Sequence, residues 1–107
     1  VAWPAADAQR TVADALRVEQ VGVLPFAHLR ELVTGIVTVT EDEMLTAVRL
    51  LARQARLVAE PGGAAAVAAC LFHAAELPAA RAPVAVLSGG NIDPGLLARV
   101  LVTEVDK

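Results

Sequence analysis

Residues 64–75 (AAAVAACLFHAA) form a run that is apolar nearly all round. A helix of this kind is stable only when it is buried on most of its sides. A chain of 107 residues has much surface and little interior in which to enclose one. The remaining residues sharpen the demand. Hydrophobic residues make up 56% of the chain and seven glycines come on top, more than a soluble domain usually carries. Aromatics are nearly absent (Trp3, Phe26 and Phe72), so the excess is Ala, Val and Leu, which suit close-packed helices and buried strands. The economical expectation is that some of these faces belong against a sheet that the sequence does not contain. A start at Val1 with no initiator Met is what a segment cut from a longer chain would show.

Along the chain, residues 1–9, around Trp3-Pro4, have no clear period and read as a connection. Residues 11–16 (TVADAL) read as a helical turn or as a loop beside a site. Pro25 then opens a helix, because proline suits the first helical position. Phe26, Leu29, Leu32 and Val33 follow at helical spacing, and Gly35 is placed to end it. Residues 36–39 (IVTV) are β-branched throughout and predict a short strand. Thr40 and Glu43 form a capping box, ahead of a helix carrying Met44, Ala47, Val48, Leu50 and Leu51. Glu41, Asp42 and Glu43 sit at the positive end of that helix dipole; capping accounts for the cluster without a metal ion. Residues 84–87 (VAVL) form a short continuous apolar run and predict a fully buried strand. Asp93 as N-cap and Pro94 in the first turn start a last helix, whose apolar face is Leu96, Leu97, Val100 and Leu101. Residues 78–83 read as a loop and residues 102–107 as a tail. Helices alternate with strands, so the expected class is α/β.

The net charge is −3, eight arginines are scattered, and the only lysine is Lys107. Without a basic stripe, nucleic acid is not an expected partner. The longest apolar stretch, residues 64–72, is far shorter than the ~20 residues of a bilayer span, and no secretory pattern opens the chain. No membrane partner is expected. Cys70 is the single cysteine, which excludes an internal disulfide and points to a cytoplasmic location. It lies in the Ala-rich helical run and reads as an inert buried thiol. His28, on a helix flank, and His73, near a helix end, match no metal spacing, and no metal site is expected.

Chemistry concentrates where the run 84–87 stops at Ser88-Gly89-Gly90-Asn91. In open α/β sheets the carboxyl ends of strands line the crevice where ligands bind. Two glycines let a backbone approach a ligand or take positive φ. A tight strand-to-helix turn uses the same residues, so the motif alone leaves both readings open. Glu60-Pro61-Gly62-Gly63 before a helix invites a phosphate-loop reading, but GxxxxGK[ST] and GxGxxG are both absent. Glu60 is either an exposed carboxylate or a buried one near a cofactor.

Five segments taken in order resolve this ambiguity: TVADAL (11–16), PFAHLRELV (25–33), IVTVTEDEM (36–44), LVAEPGGAAAVAA (57–69) and VLSGGNIDPGLLARVL (86–101). Together they resemble the second half of the pyridoxal-phosphate-dependent threonine dehydratase and serine racemase group, whose fold is tryptophan-synthase-β-like. The SGGN-I-D-P run following Glu-Pro-Gly-Gly-Ala is the most specific part. The resemblance implies that residues 1–107 are the C-terminal portion of a catalytic domain, with helices on a mostly parallel sheet that is incomplete in this chain. It implies pyridoxal 5'-phosphate as cofactor, a small amino acid as substrate, and a homo-oligomer as the full-length enzyme.

The resemblance also assigns residues. Ser88 matches the serine whose hydroxyl meets the pyridine nitrogen of the cofactor. A neutral hydroxyl does not keep that nitrogen protonated as a carboxylate would, so the ring is a weaker electron sink and elimination is favoured. Gly89, Gly90 and Asn91 shape the turn that delivers Ser88, and Glu60 matches a glutamate close to the ring. Asp14 matches an aspartate on the substrate-hydroxyl side. Ala15 stands where the family usually has Gly, which alters a backbone approach to the ring, and Thr34-Gly35 replaces a common Asp pair. The Schiff-base lysine, the glycine-rich phosphate cradle and the divalent-cation ligands of relatives all lie upstream. No catalytic residue is therefore expected in this chain, and Lys107 is in the wrong place to serve. The implied reaction removes the β-hydroxyl of threonine or serine to give a 2-oxo acid and ammonia. A racemase, and a non-catalytic cofactor-binding or regulatory fragment, are the alternatives.

Overall fold

The computed structural model describes residues 10–18 and 20–103; the connection expected over residues 1–9 and the end of the tail, with Lys107, lie outside them. Four α-helices follow one another: α1 (Val23–Leu32), α2 (Glu41–Leu50), α3 (Ala65–Phe72) and α4 (Pro94–Val102). Short 3₁₀ turns occupy Asp14–Leu16, Gly62–Ala64 and Ala74–Glu76, and a π-turn over Leu51–Ala55 extends α2.

Local chemistry sets the helix starts. Thr40 Oγ1 accepts from the Glu43 amide at 3.2 Å, and Glu43 Oε2 accepts from the Thr40 amide at 2.7 Å. The capping box expected for α2 is therefore complete. Asp93 Oδ2 accepts from the Leu96 amide at 3.1 Å, with Pro94 in the first turn of α4, as its sequence predicts. The π-turn is closed by Arg56 in the left-handed region (φ 59°), the one non-glycine residue there among the described residues.

The core lies where α2 packs on α3 and on α4. Met44, Ala47 and Val48 of α2 meet Ala64 and Ala68 on one side and Val100 on the other, with Ala13 and Ala59 completing the buried cluster. Alanines at the α2–α3 contact let the helices come close, which maximises dispersion contact for little side-chain entropy. Arg49, also buried, joins α2 to the end of α4 through Thr103 O at 3.4 Å.

Several sequence expectations are corrected. Helix α1 begins at Val23 after Gly22, so Pro25 is its third residue and not its first. Proline is tolerated there because the first four helical amides have no intrahelical acceptor. The helix ends at Val33, before Gly35, where the β-branched sequence Val33-Thr34 and 36–40 turns against helix. Residues 36–39 and 84–87 are not strands, and no ladder forms among the described residues. Residues 36–39 do alternate exposed and half-buried, the period of a strand, but they lack a paired neighbour. The run 84–87 is largely exposed instead of buried, Val84 by 87%, because no described layer covers it. The apolar helix is shorter than residues 64–75 and is buried only on its α2 side, so Cys70 is exposed and not an inert buried thiol. No helix among the described residues is long and apolar enough to cross a membrane.

His73 follows α3 and ties it to α2. Its Nδ1 lies 2.6 Å from Glu76 Oε1, and its Nε2 lies 3.1 Å from both oxygens of Glu43. Only the imidazolium can donate from both nitrogens, so Glu76 first and Glu43 second raise the His73 pKa above 6.5. The Glu43 carboxyl is held below 4.5, first by the Thr40 amide and then by His73. The raised histidine contributes stability below its unfolded pKa, and that is lost as pH rises through the folded value. The lowered glutamate contributes above its unfolded pKa, and that is lost as pH falls. The link is therefore strongest between about pH 4.5 and 6.5. Denaturant midpoints are expected to fall from about pH 5.5 to about pH 8.5 in the wild type and to change less in His73→Gln; equal changes would show that His73 is not the responsible group.

Candidate functional site

Two glycine-bearing segments meet backbone to backbone. The Glu60 amide donates to Gly89 O at 3.0 Å. A Cβ on Gly63 would overlap the Gly89 carbonyl oxygen and lie 2.7 Å from its nitrogen. A Cβ on Gly90 would lie 2.8 Å from Val58 O, and one on Gly89 would lie 2.8 Å from Glu60 Oε1. No described glycine has positive φ, so Gly63, Gly89 and Gly90 are required for close approach and not for turn geometry. Of the two uses of glycine open from sequence, the structure displays the first.

Gly62 faces the other way. A Cβ there would stand 3.3 Å from Leu16 Cγ and 3.6 Å from Ala13 Cβ, so the Asp14–Leu16 turn packs on it. That turn is held from α2: Glu41 Oε1 accepts from Thr11 Oγ1 at 2.6 Å and Glu41 Oε2 from the Val12 amide at 2.8 Å. Thr11 Oγ1 accepts in turn from the Ala13 amide at 3.1 Å, and Arg17 Nε donates to Thr11 O at 3.0 Å.

Between the three segments opens a cavity of about 260 Å³ whose polar wall includes Asp14, Arg17, Glu60, Asn91, Asp93 and Arg99. Asp14, Glu60 and Asn91, singled out from sequence, are thus brought together. Ser88, Gly89, Gly90 and Ala15 do not line it; Gly89 lies directly against Glu60, and Ala15 donates its amide to Asp14 Oδ1 at 2.9 Å. Glu60 is half-buried, between the two states left open for it. Ser88 is exposed, and no described group hydrogen-bonds its hydroxyl. His28, bonded to Leu24 O within α1, and His73 stand outside this wall. No group of three or more metal-ligating side chains is assembled among the described residues.

Sequence reasoning missed Arg17, Arg99 and the bracing role of Glu41. The signal for Glu41 was its surplus: Thr40 and Glu43 complete the capping box without it. Arg17 and Arg99 carry no local signal, since only the fold brings them to one wall.

A family model described as "Pyridoxal-phosphate dependent enzyme" matches residues 2–89. Among curated proteins, L-threonine ammonia-lyase of Thermotoga maritima is 36% identical over 85% of this chain and 22% of its own length. Serine racemase of Schizosaccharomyces pombe is 30% identical over 81% of the chain and 27% of its own length. The crystal structure of a T.th. threonine deaminase superposes with a TM-score of 0.68 at 44% identity, over 78% of this chain and 28% of that one. The chain thus spans about a quarter of the length of these relatives.

The glycine contacts make a direct prediction. Gly63→Ala places a methyl group into backbone, which cannot move aside as a side-chain tip can, and should destabilise by about 2 kcal/mol or more. Gly35→Ala, with nothing within 4 Å of the new methyl, should be neutral or slightly stabilising. Denaturant midpoints of the two variants check the contrast, and similar midpoints would mean that the 60–63 and 88–90 segments are not interlocked.

Proposed function

Because this chain belongs to the family of pyridoxal-phosphate-dependent enzymes, we propose that it forms the C-terminal portion of the catalytic domain of a threonine/serine dehydratase. The observation that carries the reading is the meeting of Asp14, Glu60 and Asn91, from three separated segments, in one cavity beside the Ser88 turn. Relatives named for threonine ammonia-lyase and threonine deaminase activity support it. In this reading residues 57–60 and 84–88 are neighbouring parallel strands of the sheet, which the Glu60–Gly89 hydrogen bond supports. The other strands, and the layer covering Val84 and α1, belong to the remainder of the protein. The assembled enzyme is taken as a cytoplasmic homo-oligomer, and the single cysteine is consistent with a reducing compartment.

The residues present fit the cofactor. Ser88 offers an exposed hydroxyl without a protein partner among the described residues, and Gly89 and Gly90 leave backbone bare of side chains beside it. Ser88 would meet the ring nitrogen, Glu60 and Asn91 would stand near the ring, and Asp14 would face the substrate hydroxyl. Bound pyridoxal phosphate supplies an electron sink for charge developing at the substrate α-carbon. The base that takes the α-proton is a lysine outside this sequence, whose only lysine is Lys107. The β-hydroxyl then leaves as water, and hydrolysis releases ammonia and a 2-oxo acid. The serine racemase relative favours a second reading, in which the α-proton returns on the opposite face.

The full-length protein, assayed with pyridoxal phosphate, should release 2-oxo acid and ammonia from L-threonine or L-serine. D-serine as the main product would favour the racemase, and neither product would overturn both readings. In the same protein Ser88→Ala should weaken cofactor binding by about 0.5–1.5 kcal/mol, one neutral hydrogen bond. Ser88→Asp should favour a protonated ring and shift products from elimination toward racemisation or transamination. Unchanged cofactor affinity and product ratios in both variants would remove Ser88 from the site.

A further inference from the structure

We propose that Glu41 is a positioning residue for Asp14: its carboxylate, with the Thr11 hydroxyl as relay, fixes the turn that presents Asp14 to the β-hydroxyl of the substrate. The role of Asp14 rests on the functional reading above; the clamp itself rests on geometry.

Glu41 is not needed where it stands. The cap of α2 is complete with Thr40 and Glu43, and a first-turn carboxylate ordinarily stays near its own helix amides. Glu41 instead spends both oxygens on residues 29 and 30 positions away: Oε1 on the Thr11 hydroxyl at 2.6 Å and Oε2 on the Val12 amide at 2.8 Å. Both are short charge-assisted bonds, the stronger class. All three residues are half-buried, so water competes less well for the carboxylate than at an open surface.

The relay carries the constraint to Asp14. Thr11 Oγ1, oriented by giving its proton to Glu41, accepts from the Ala13 amide at 3.1 Å. Ala13 is itself buried in the core, and Asp14 is the next residue. The Asp14 amide closes on Val12 O at 3.0 Å and the Leu16 amide on Ala13 O at 2.9 Å. The turn is thus fixed on its Thr11–Ala13 side, while the Asp14–Leu16 side is exposed and Asp14 lines the cavity. The Asp14 carboxylate has one oxygen on the Ala15 amide; the other has no partner among the described residues. Losing the clamp would free the segment that aims it, and displacement of an aiming group by about 1 Å can lower turnover by about a hundredfold.

The test uses the full-length protein with pyridoxal phosphate and compares Glu41→Gln, Thr11→Val, Thr11→Ser and Asp14→Asn. L-serine is the substrate, and L-alanine, which lacks only the hydroxyl, is the competitive inhibitor. Glu41→Gln and Thr11→Val should reproduce Asp14→Asn: KM for L-serine rises about tenfold or more while the inhibition constant of L-alanine stays as in the wild type. Thr11→Ser should restore wild-type behaviour, because it keeps the relay hydroxyl. Amide exchange should accelerate over residues 11–17 in Glu41→Gln and Thr11→Val and remain unchanged over residues 44–50. Serine and alanine constants moving together, neither moving, or Thr11→Ser behaving like Thr11→Val would overturn the positioning role. A wild-type protein that turns over neither serine nor threonine overturns the functional reading instead, and the exchange data then decide the clamp alone. If Glu41→Gln fails to fold, the near-isosteric Thr11→Val and Thr11→Ser pair carries the comparison.

Discussion

The Gly62-Gly63 step is the point on which the described site depends, because its two residues are pressed from opposite sides. Gly63 admits the backbone of Gly89, and Gly62 admits Leu16 and Ala13. A side chain at either position would separate two of the three segments that form the cavity. Close backbone approach of this kind stores no conformational strain, since no glycine here needs positive φ; it requires only the absence of a Cβ. Glu60, immediately before Pro61 and the step, is thereby set against Gly89 with its amide satisfied. The proximity of Asp14, Glu60 and Asn91 follows from that junction.

The second organising element is the first turn of α2, where adjacent residues divide three tasks. Thr40 and Glu43 start the helix, Glu43 also receives His73 from beyond α3, and Glu41 reaches back to the Asp14 turn. Because α2 is the helix on which both α3 and α4 pack, its N-terminus joins the core to the site. Packing and function are therefore coupled here through side-chain hydrogen bonds, not through a shared hydrophobic contact.

What the sequence made legible was the local chemistry. Caps at Thr40 and Asp93 are decided within one turn of chain, and the structure has both. The motif around Ser88 and the Glu60-Pro61-Gly62-Gly63 run were recognisable as patterns, although their physical meaning, mutual contact, needed the fold. Strands at residues 36–39 and 84–87 were expected from β-branched and apolar runs, but a strand exists only through its neighbours, and the described residues offer these segments no ladder. Cys70 was misplaced because an all-round apolar helix does not say which side will be covered; here α2 covers the Ala68 side. Glu41 was read with its acidic neighbours because its partners lie in a distant part of the chain.

The most direct measurement is a crystal structure of the full-length protein with pyridoxal phosphate bound. Residues 60–63 should still interlock with residues 88–90, and the Ser88 hydroxyl should lie within hydrogen-bond distance of the ring nitrogen, with Glu60 and Asp14 on the same side of the site. A cofactor seated elsewhere, or Gly63 parted from Gly89 in the bound protein, would contradict this arrangement.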